Sequence, residues 1–243
     1  MSTEAIFGGW GTPPAGGIND LISNLWHQTA AQGVGTSAFQ PNSGLSQRRH
    51  EITMLWSLFY RMQPKIVVEV GVAQGGTFAG WCKLASHDAT LIAIDRCLDD
   101  ARPRPGDPVH PAIYSGPLAS TSNGGGIYHL RQFGQRIIGI NGWSYEPHVM
   151  EKLLAELDGR KIDFLFNDAS HSASMFAQDF KLYWPLVADG GIFATHDIMK
   201  SAHPDCDKNT EWERIKREEE YSACYEFLGS RHDDSMGIGV LIK

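Results

Sequence analysis

An α/β fold built on a mostly parallel sheet is what this 243-residue chain predicts, and three observations predict it. Short apolar runs alternate with amphipathic stretches from residue 47 onward, and such alternation makes a parallel sheet covered by helices. The first run, 66–70, breaks into the glycine turn Gly71-Val72-Ala73-Gln74-Gly75-Gly76, which opens a helix at Thr77. Acidic or imidazole side chains then stand at the ends of successive runs, where open α/β sheets hold their ligands.

The elements follow in order. Residues 1 to about 46 are rich in Gly, Pro, Ser, Asn and Gln around one apolar patch from Ile18 to Trp26, and read as a leading segment, a lid or an oligomer arm. Ile52, Leu55, Trp56, Phe59 and Tyr60 form a helical stripe within 47–62 that stops before Pro64. Strands are predicted at 66–70, 90–95, 136–140, 162–167 and 191–195, the last opened by the Asp189-Gly190-Gly191 turn, and a final one in GIGVLIK. Helices are predicted from 77 to about 86, 147 to 157, 173 to 184 and 211 to 220. The expected division is a leading segment with its lead-in helix over 1–60 and one α/β domain over 61–243. The Pro- and Gly-rich stretch 99–126 is too long for a βα connection and reads as an insertion over the ligand crevice. Its Arg102, Arg104, His110 and Tyr114 could contact substrate, but the reading favoured is solvated loop residues.

Composition narrows the classes. A hydrophobic content of 42% suits a single buried core. The formal net charge of −7, with no basic stripe, argues against nucleic acid as a partner. No apolar run is long enough to span a bilayer, and the first residues lack a basic start followed by an apolar core, so a cytoplasmic protein without a membrane partner is expected. Cys82, Cys97, Cys206 and Cys224 are scattered and read as free thiols.

The glycine turn narrows them further. A dinucleotide fingerprint needs a glycine where Ala73 stands, so that the main chain can touch a pyrophosphate. Pyrophosphate is therefore disfavoured, and Glu69, at the strand end, would instead meet a ligand carrying positive charge. The stretch resembles the first motif of class I S-adenosylmethionine methyltransferases, in the form E-x-G-x-x-x-G-G-T. This resemblance implies S-adenosylmethionine as cofactor, its amino-acid end held by Glu69, Gly71, Gly75, Gly76 and Thr77. The expected architecture is then a Rossmann-like, mostly parallel seven-stranded sheet with helices on both faces and an antiparallel C-terminal strand. Asp95, about twenty residues beyond the turn, stands where such folds place the acid that accepts ribose hydroxyls. Trp143 and Ser144, in the turn after the third strand, are further cofactor candidates, although a helix start at Pro147 explains Ser144 nearly as well.

A second pattern is D-x-x-H at Asp168 and His171, followed by His196-Asp197 at the end of the next strand. Parallel strands lie about 4.8 Å apart, so Asp168 and Asp197 could share a divalent cation, and oxygen ligands suit Mg²⁺. In motif order, residues 47–243 resemble the O-methyltransferase group that includes macrolide-sugar methyltransferases and cephalosporin hydroxylase-like proteins. That resemblance implies methyl transfer to a hydroxyl of a small molecule, a sugar, a phenol or a natural product. It also implies Asp168 and Asp197 as Mg²⁺ ligands, His196 at the remaining position of the acidic pair, and His171 as general base with Asp168 in the catalytic set.

His196 departs from the pattern, since those relatives carry an acid there. Imidazole is a poorer Mg²⁺ ligand than carboxylate, so Mn²⁺ or another softer cation, or no metal, stays open. His203 and Cys206 give only a weak zinc signal. Two other functions stay open beside methyl transfer. One is a NAD-dependent oxidoreductase, against which Ala73 and the D-x-x-H segment count; the other is a non-catalytic, cofactor-binding accessory protein. Trp10, Trp26 and the leading apolar patch would suit a contact in a homo-oligomer.

Overall fold

The computed structural model describes residues 20–25, 47–73, 75–96, 98, 134–201, 206–229 and 236–243. The expected insertion at 99–126, together with Trp10, Trp26, Cys97 and His203, lies outside them. The chain runs α1 (Arg49–Met62), β1 (Ile66–Val70), α2 (Gly76–Leu84), β2 (Thr90–Asp95), β3 (Arg136–Asn141), α3 (Pro147–Leu157), β4 (Ile162–Asn167), α4 (Ala173–Tyr183), a 3-10 turn (Trp184–Leu186), β5 (Val187–His196), α5 (Lys208–Glu218), β6 (Ala223–Phe227) and β7 (Ile238–Ile242). One seven-stranded sheet has the order β3-β2-β1-β4-β5-β7-β6. Strands β1 to β5 are parallel to their neighbours, and β7 lies antiparallel between β5 and β6. This is the expected Rossmann-like sheet. Among the described residues no helix is long and apolar enough to cross a membrane.

The order reverses between β1 and β4, and the crevice at such a switch point is where α/β sheets bind ligands. Side chains alternate between the two faces of a strand, and the two core clusters follow that period. Val67, Phe164, Phe166, Ile192 and Ala194 join the cluster made by α1 and α2, and the short helical piece at 20–25 adds Ile22 and Leu25 to it. Val68, Val70, Leu165 and Phe193 join the cluster made by α3, α4 and α5. The same alternation sends Glu69, Asp168 and His196 to the α1–α2 side and Asn167 to the α4–α5 side.

Differences from the predicted elements have local causes. Strand β5 starts at Val187 rather than after the Gly190-Gly191 turn, because the turn is a bulge within the strand: pairing jumps from Ile162↔Val187 to Phe164↔Ile192, and Gly190 takes φ +76°. Helix α5 starts at Lys208, three residues early, because its first turn docks on the chain after β4, with the Lys208 amide donating to the His171 carbonyl at 3.0 Å. The unlocated seventh strand is β6, a mostly half-buried edge strand that pairs only with β7. No periodicity marks it; the pairing partner makes it a strand.

Gly71 shows why the first turn needs glycine. Its φ is +84°, and a Cβ there would lie 2.4 Å from the Asp168 carbonyl oxygen. The turn after β1 is thus pressed against the segment after β4, and the Asp168 amide donates to the Val70 carbonyl at 2.7 Å. Close approach of these two segments, as well as of a ligand, is what the glycine permits.

Candidate active site

The cofactor half of the site is built around Glu69 and Asp95. Glu69 is fully buried on β1, where its Oε1 accepts the Thr77 hydroxyl from the start of α2. Its Oε2 has no aligned hydrogen-bond donor, although the buried Trp81 indole N–H lies near enough to favour the charged carboxylate. Burial holds the Glu69 carboxyl well above the usual carboxylate range, against the pull of the Thr77 hydrogen bond. A buried carboxyl at the sheet's switch point suits a cationic ligand group such as the cofactor's ammonium. Asp95 Oδ2 accepts the amides of Val72 and Ala73 at 2.8 and 2.9 Å, holding the turn in which Ala73 has φ +45° and Gly75 φ +77°.

Glu69 also carries a stability prediction. A carboxyl whose folded pKa lies above its unfolded value weakens folding as pH rises through that interval. Glu69→Gln, which does not titrate, should therefore raise the melting temperature of the ligand-free protein over wild type, more at pH 8 than at pH 5. Thermal unfolding at both pH values checks it; a difference that shrinks with pH would contradict the buried, proton-retaining carboxyl.

Trp143 and Ser144 follow β3. The Arg96 guanidinium lies 4.5 Å over the Trp143 ring. Ser144 is buried and donates to Asp179 Oδ1 at 2.6 Å, while its carbonyl accepts the Tyr183 hydroxyl at 2.7 Å. Its hydroxyl thus serves the packing of α4 in this structure.

At the other half, the ends of β4 and β5 bring together Asp168, His171, His196 and Asp197. His196 Nδ1 is 3.3 Å from both Asp168 Oδ1 and Asp197 Oδ1, and His171 Nε2 is 3.2 Å from Asp197 Oδ2. Burial lowers the His196 pKa, but Asp197 and Asp168 outweigh it and push the imidazole up to about 9. Burial likewise works to raise Asp168, and His196, with Lys208 and His171 behind it, holds the carboxyl below the usual range. Asp197 takes φ +64°, an unusual conformation for a residue other than glycine. The cysteine Sγ of Cys206 is 3.6 Å from His171 Nδ1.

A metal centre fits this donor set. One ligand atom from each of Asp168, His196 and Asp197 lies within 4.8 Å of the others. His196 Nδ1, Asp168 Oδ1 and Asp197 Oδ1 are the atoms that converge, while His196 Nε2 faces Glu51 and Asp197 Oδ2 faces His171. Two carboxylates and one imidazole suit a divalent cation, with the nitrogen favouring a borderline metal over Mg²⁺.

Residues that the sequence pattern did not single out complete the surroundings. On one side Gln47 Nε2 donates to Asp168 Oδ2, and Glu51 Oε2 lies 3.9 Å from His196 Nε2. On the other, the buried Lys208 ammonium lies 3.3 Å from Asn167 Oδ1, and Asn167 Nδ2 donates to Asp179 Oδ2 at 2.9 Å.

A profile described as "Methyltransferase domain" matches residues 68–198, more than half of the chain and every strand from Val68 of β1 to the end of β5. The chain belongs to this methyltransferase family. With the E-x-G-x-x-x-G-G-T turn in place, it is a class I S-adenosylmethionine-dependent methyltransferase. No curated protein matches it in sequence. Among solved structures, the methyltransferase resembles the O-methyltransferase TomG from Streptomyces achromogenes, involved in tomaymycin synthesis and solved with S-adenosylmethionine. Identity is 15%, coverage is 100% of this chain and 99% of TomG, and the TM-score is 0.54. It resembles the calicheamicin methyltransferase CalS11 at 16% identity, coverage 100% and 96%, TM-score 0.54. An O-methyltransferase from Bacillus cereus, solved with S-adenosylhomocysteine, aligns at 15% identity, coverage 92% and 91%, TM-score 0.51. At these identities the structures support the fold of the methyltransferase.

Proposed function

We propose that the enzyme methylates a hydroxyl of a small molecule, a sugar, a phenol or a natural product, with His171 as general base. The observation that carries this reading is the half-exposed His171 imidazole beside the buried Asp197 carboxylate, at the ends of strands next to the glycine turn. TomG, involved in tomaymycin synthesis, and the calicheamicin methyltransferase CalS11 support a natural-product acceptor. The negative net charge supports a small molecule over nucleic acid.

When bound, S-adenosylmethionine supplies an electrophilic methyl group on a sulfonium. Glu69, Gly71, Gly75, Gly76, Thr77 and Asp95 would hold it, with Trp143 and Ser144 as further candidates after β3. Holding the acceptor oxygen against that methyl group would contribute much of the rate. His171 would take the hydroxyl proton as the acceptor oxygen receives the methyl and the cofactor leaves as the thioether. The Asp197 carboxylate favours a proton on Nε2 of that ring, so Nδ1, on the Cys206 side, is the accepting nitrogen. Asp168, His196 and Asp197 would hold a divalent cation, Mg²⁺ or Mn²⁺, which lowers the pKa of a bound hydroxyl.

The test is calorimetric titration with S-adenosylhomocysteine and with NAD⁺, in EDTA and with Mg²⁺ or Mn²⁺ restored, followed by transfer of labelled methyl to a panel of hydroxyl compounds. Micromolar binding of the thioether, no heat from NAD⁺, and label in an O-methyl product are expected. Folded protein that binds no thioether would refute the cofactor assignment; binding with label only in N- or S-methyl products would refute the hydroxyl.

A further inference from the structure

Two polar side chains of the site come from ahead of the matched methyltransferase segment. Gln47 and Glu51 are four residues apart at the start of α1, and the match begins at residue 68. Both are buried, at 4% and 0% exposure, while Arg49 and His50 between them face solvent. Just beyond, the buried face of α1 is apolar, with Ile52, Leu55, Trp56 and Phe59 on the sheet. A helix that served packing alone would carry apolar residues at its first turn too, because burying a carboxylate costs several kcal/mol unless it is compensated.

The compensation points to the site. Gln47 donates its amide to Asp168 Oδ2, which leaves Oδ1 turned toward His196 Nδ1. A carboxylate acceptor fixes which end of the Gln47 amide faces it, since only the NH₂ can donate. Glu51 accepts the amides of Gly229 and Gly237, both at 3.2 Å, and its Oε2 faces His196 Nε2 on the side away from the aspartates. His196 thus lies between two carboxylates at one ring nitrogen and a third at the other. Its placement opposite α1 follows from the alternation Ile192, Ala194, His196 along β5.

We propose that Gln47 and Glu51 are positioning residues for the reacting end of the site, Gln47 setting the orientation of Asp168 and Glu51 that of the His196 ring. The helix that leads into the domain is then part of the catalytic architecture. From the proposed function this takes only that Asp168, His196 and Asp197 are the acceptor-side cluster.

The test uses the full chain with ¹⁵N-labelled histidine, and reads the ring-nitrogen shifts of His196, assigned by their loss in His196→Gln, in Gln47→Leu and Glu51→Gln. Binding of Mn²⁺ alone is measured beside it. Both variants should move the His196 ring signals while His87 and His148 stay in place, and S-adenosylhomocysteine affinity should stay near wild type. In Gln47→Leu, Mn²⁺ affinity should fall about 10- to 100-fold, as on loss of an outer hydrogen-bond partner of a ligand. Glu51→Gln keeps the shape and one acceptor oxygen, so the protein should fold even where larger changes fail. If Glu51 merely ties down Gly229 and Gly237, the melting temperature falls and the His196 signals do not move; that overturns its role, and unmoved signals in Gln47→Leu overturn the other. Wild-type protein that binds no Mn²⁺ would refute the cation in the proposed function, and the ring spectra would still decide this inference.

Discussion

His171→Ala is expected to slow methyl transfer by about 10²- to 10⁴-fold, the usual contribution of a positioned general base, while S-adenosylhomocysteine affinity changes less than about twofold. The separation follows from geometry. His171 lies in the loop between β4 and α4, whereas the glycine turn and Glu69 are held by Thr77 and Asp95. Its side chain is 55% exposed, unlike the 5% of Asp197 beside it, so the ring can meet an acceptor from the solvent side. Asp197 is held at φ +64° while the next two amides bond to the strand-β7 lead-in, Ile198 to Gly237 at 3.5 Å and Met199 to Met236 at 2.9 Å. Such a conformation costs of order 1–3 kcal/mol and persists where neighbouring structure over-determines it. Here it aims a buried carboxylate at His171. Single-turnover transfer with labelled cofactor, beside calorimetry on the same variant, measures both quantities. Wild-type transfer in His171→Ala would remove the base assignment, and loss of thioether binding would show that the residue acts through the fold.

The sheet was legible because its signals are local. Apolar runs bounded by polar or turn residues set β1, β2 and β4 to the residue, and Pro147 marked the start of α3. The acids and imidazoles at strand ends were equally legible, since a parallel sheet sends them all to one edge. What stayed hidden depends on partners distant in sequence. Glu51, Asp179 and Lys208 each occupy a helical position where the apolar stripe calls for a hydrophobic residue: Glu51 before Leu55 and Phe59, Asp179 between Phe176 and Tyr183, Lys208 before Trp212 and Ile215. That break in the stripe is a usable signal, because a charge on a buried face needs a partner. It does not say which partner. Gln47 carries no signal of this kind, standing before the helix in a polar run, and only the fold shows it against Asp168.

Lys208→Met should lower stability by about 3–5 kcal/mol at neutral pH, the cost of leaving buried charge uncompensated. In a domain of this size that is a fall of roughly 6–20 °C in melting temperature. The ammonium is 1% exposed, lies 4.7 Å over the Phe176 ring, and has Asn167 as its hydrogen-bonding neighbour through Oδ1 and the carbonyl. Burial lowers its pKa, and Asp197, Asp168 and Asp179 pull it back up. Methionine keeps the stem and its contact with the ring, so packing loss is small and the charge is what the variant removes. Asp179 sharpens the test. Burial already raises its carboxyl above the usual range despite hydrogen bonds from Ser144 and Asn167. Without Lys208 it rises further, and a carboxyl with a raised folded pKa loses stability as pH climbs through that value. The deficit of Lys208→Met should therefore be smaller at pH 5 than at pH 8, and Asp179→Asn added to it should recover part of the loss, a coupling of about 0.5–3 kcal/mol between neighbours. Denaturant unfolding of the two single variants and the double variant gives that coupling directly. A Lys208→Met protein as stable as wild type at pH 8 would mean that the carboxylates on both faces of the sheet balance one another without the lysine.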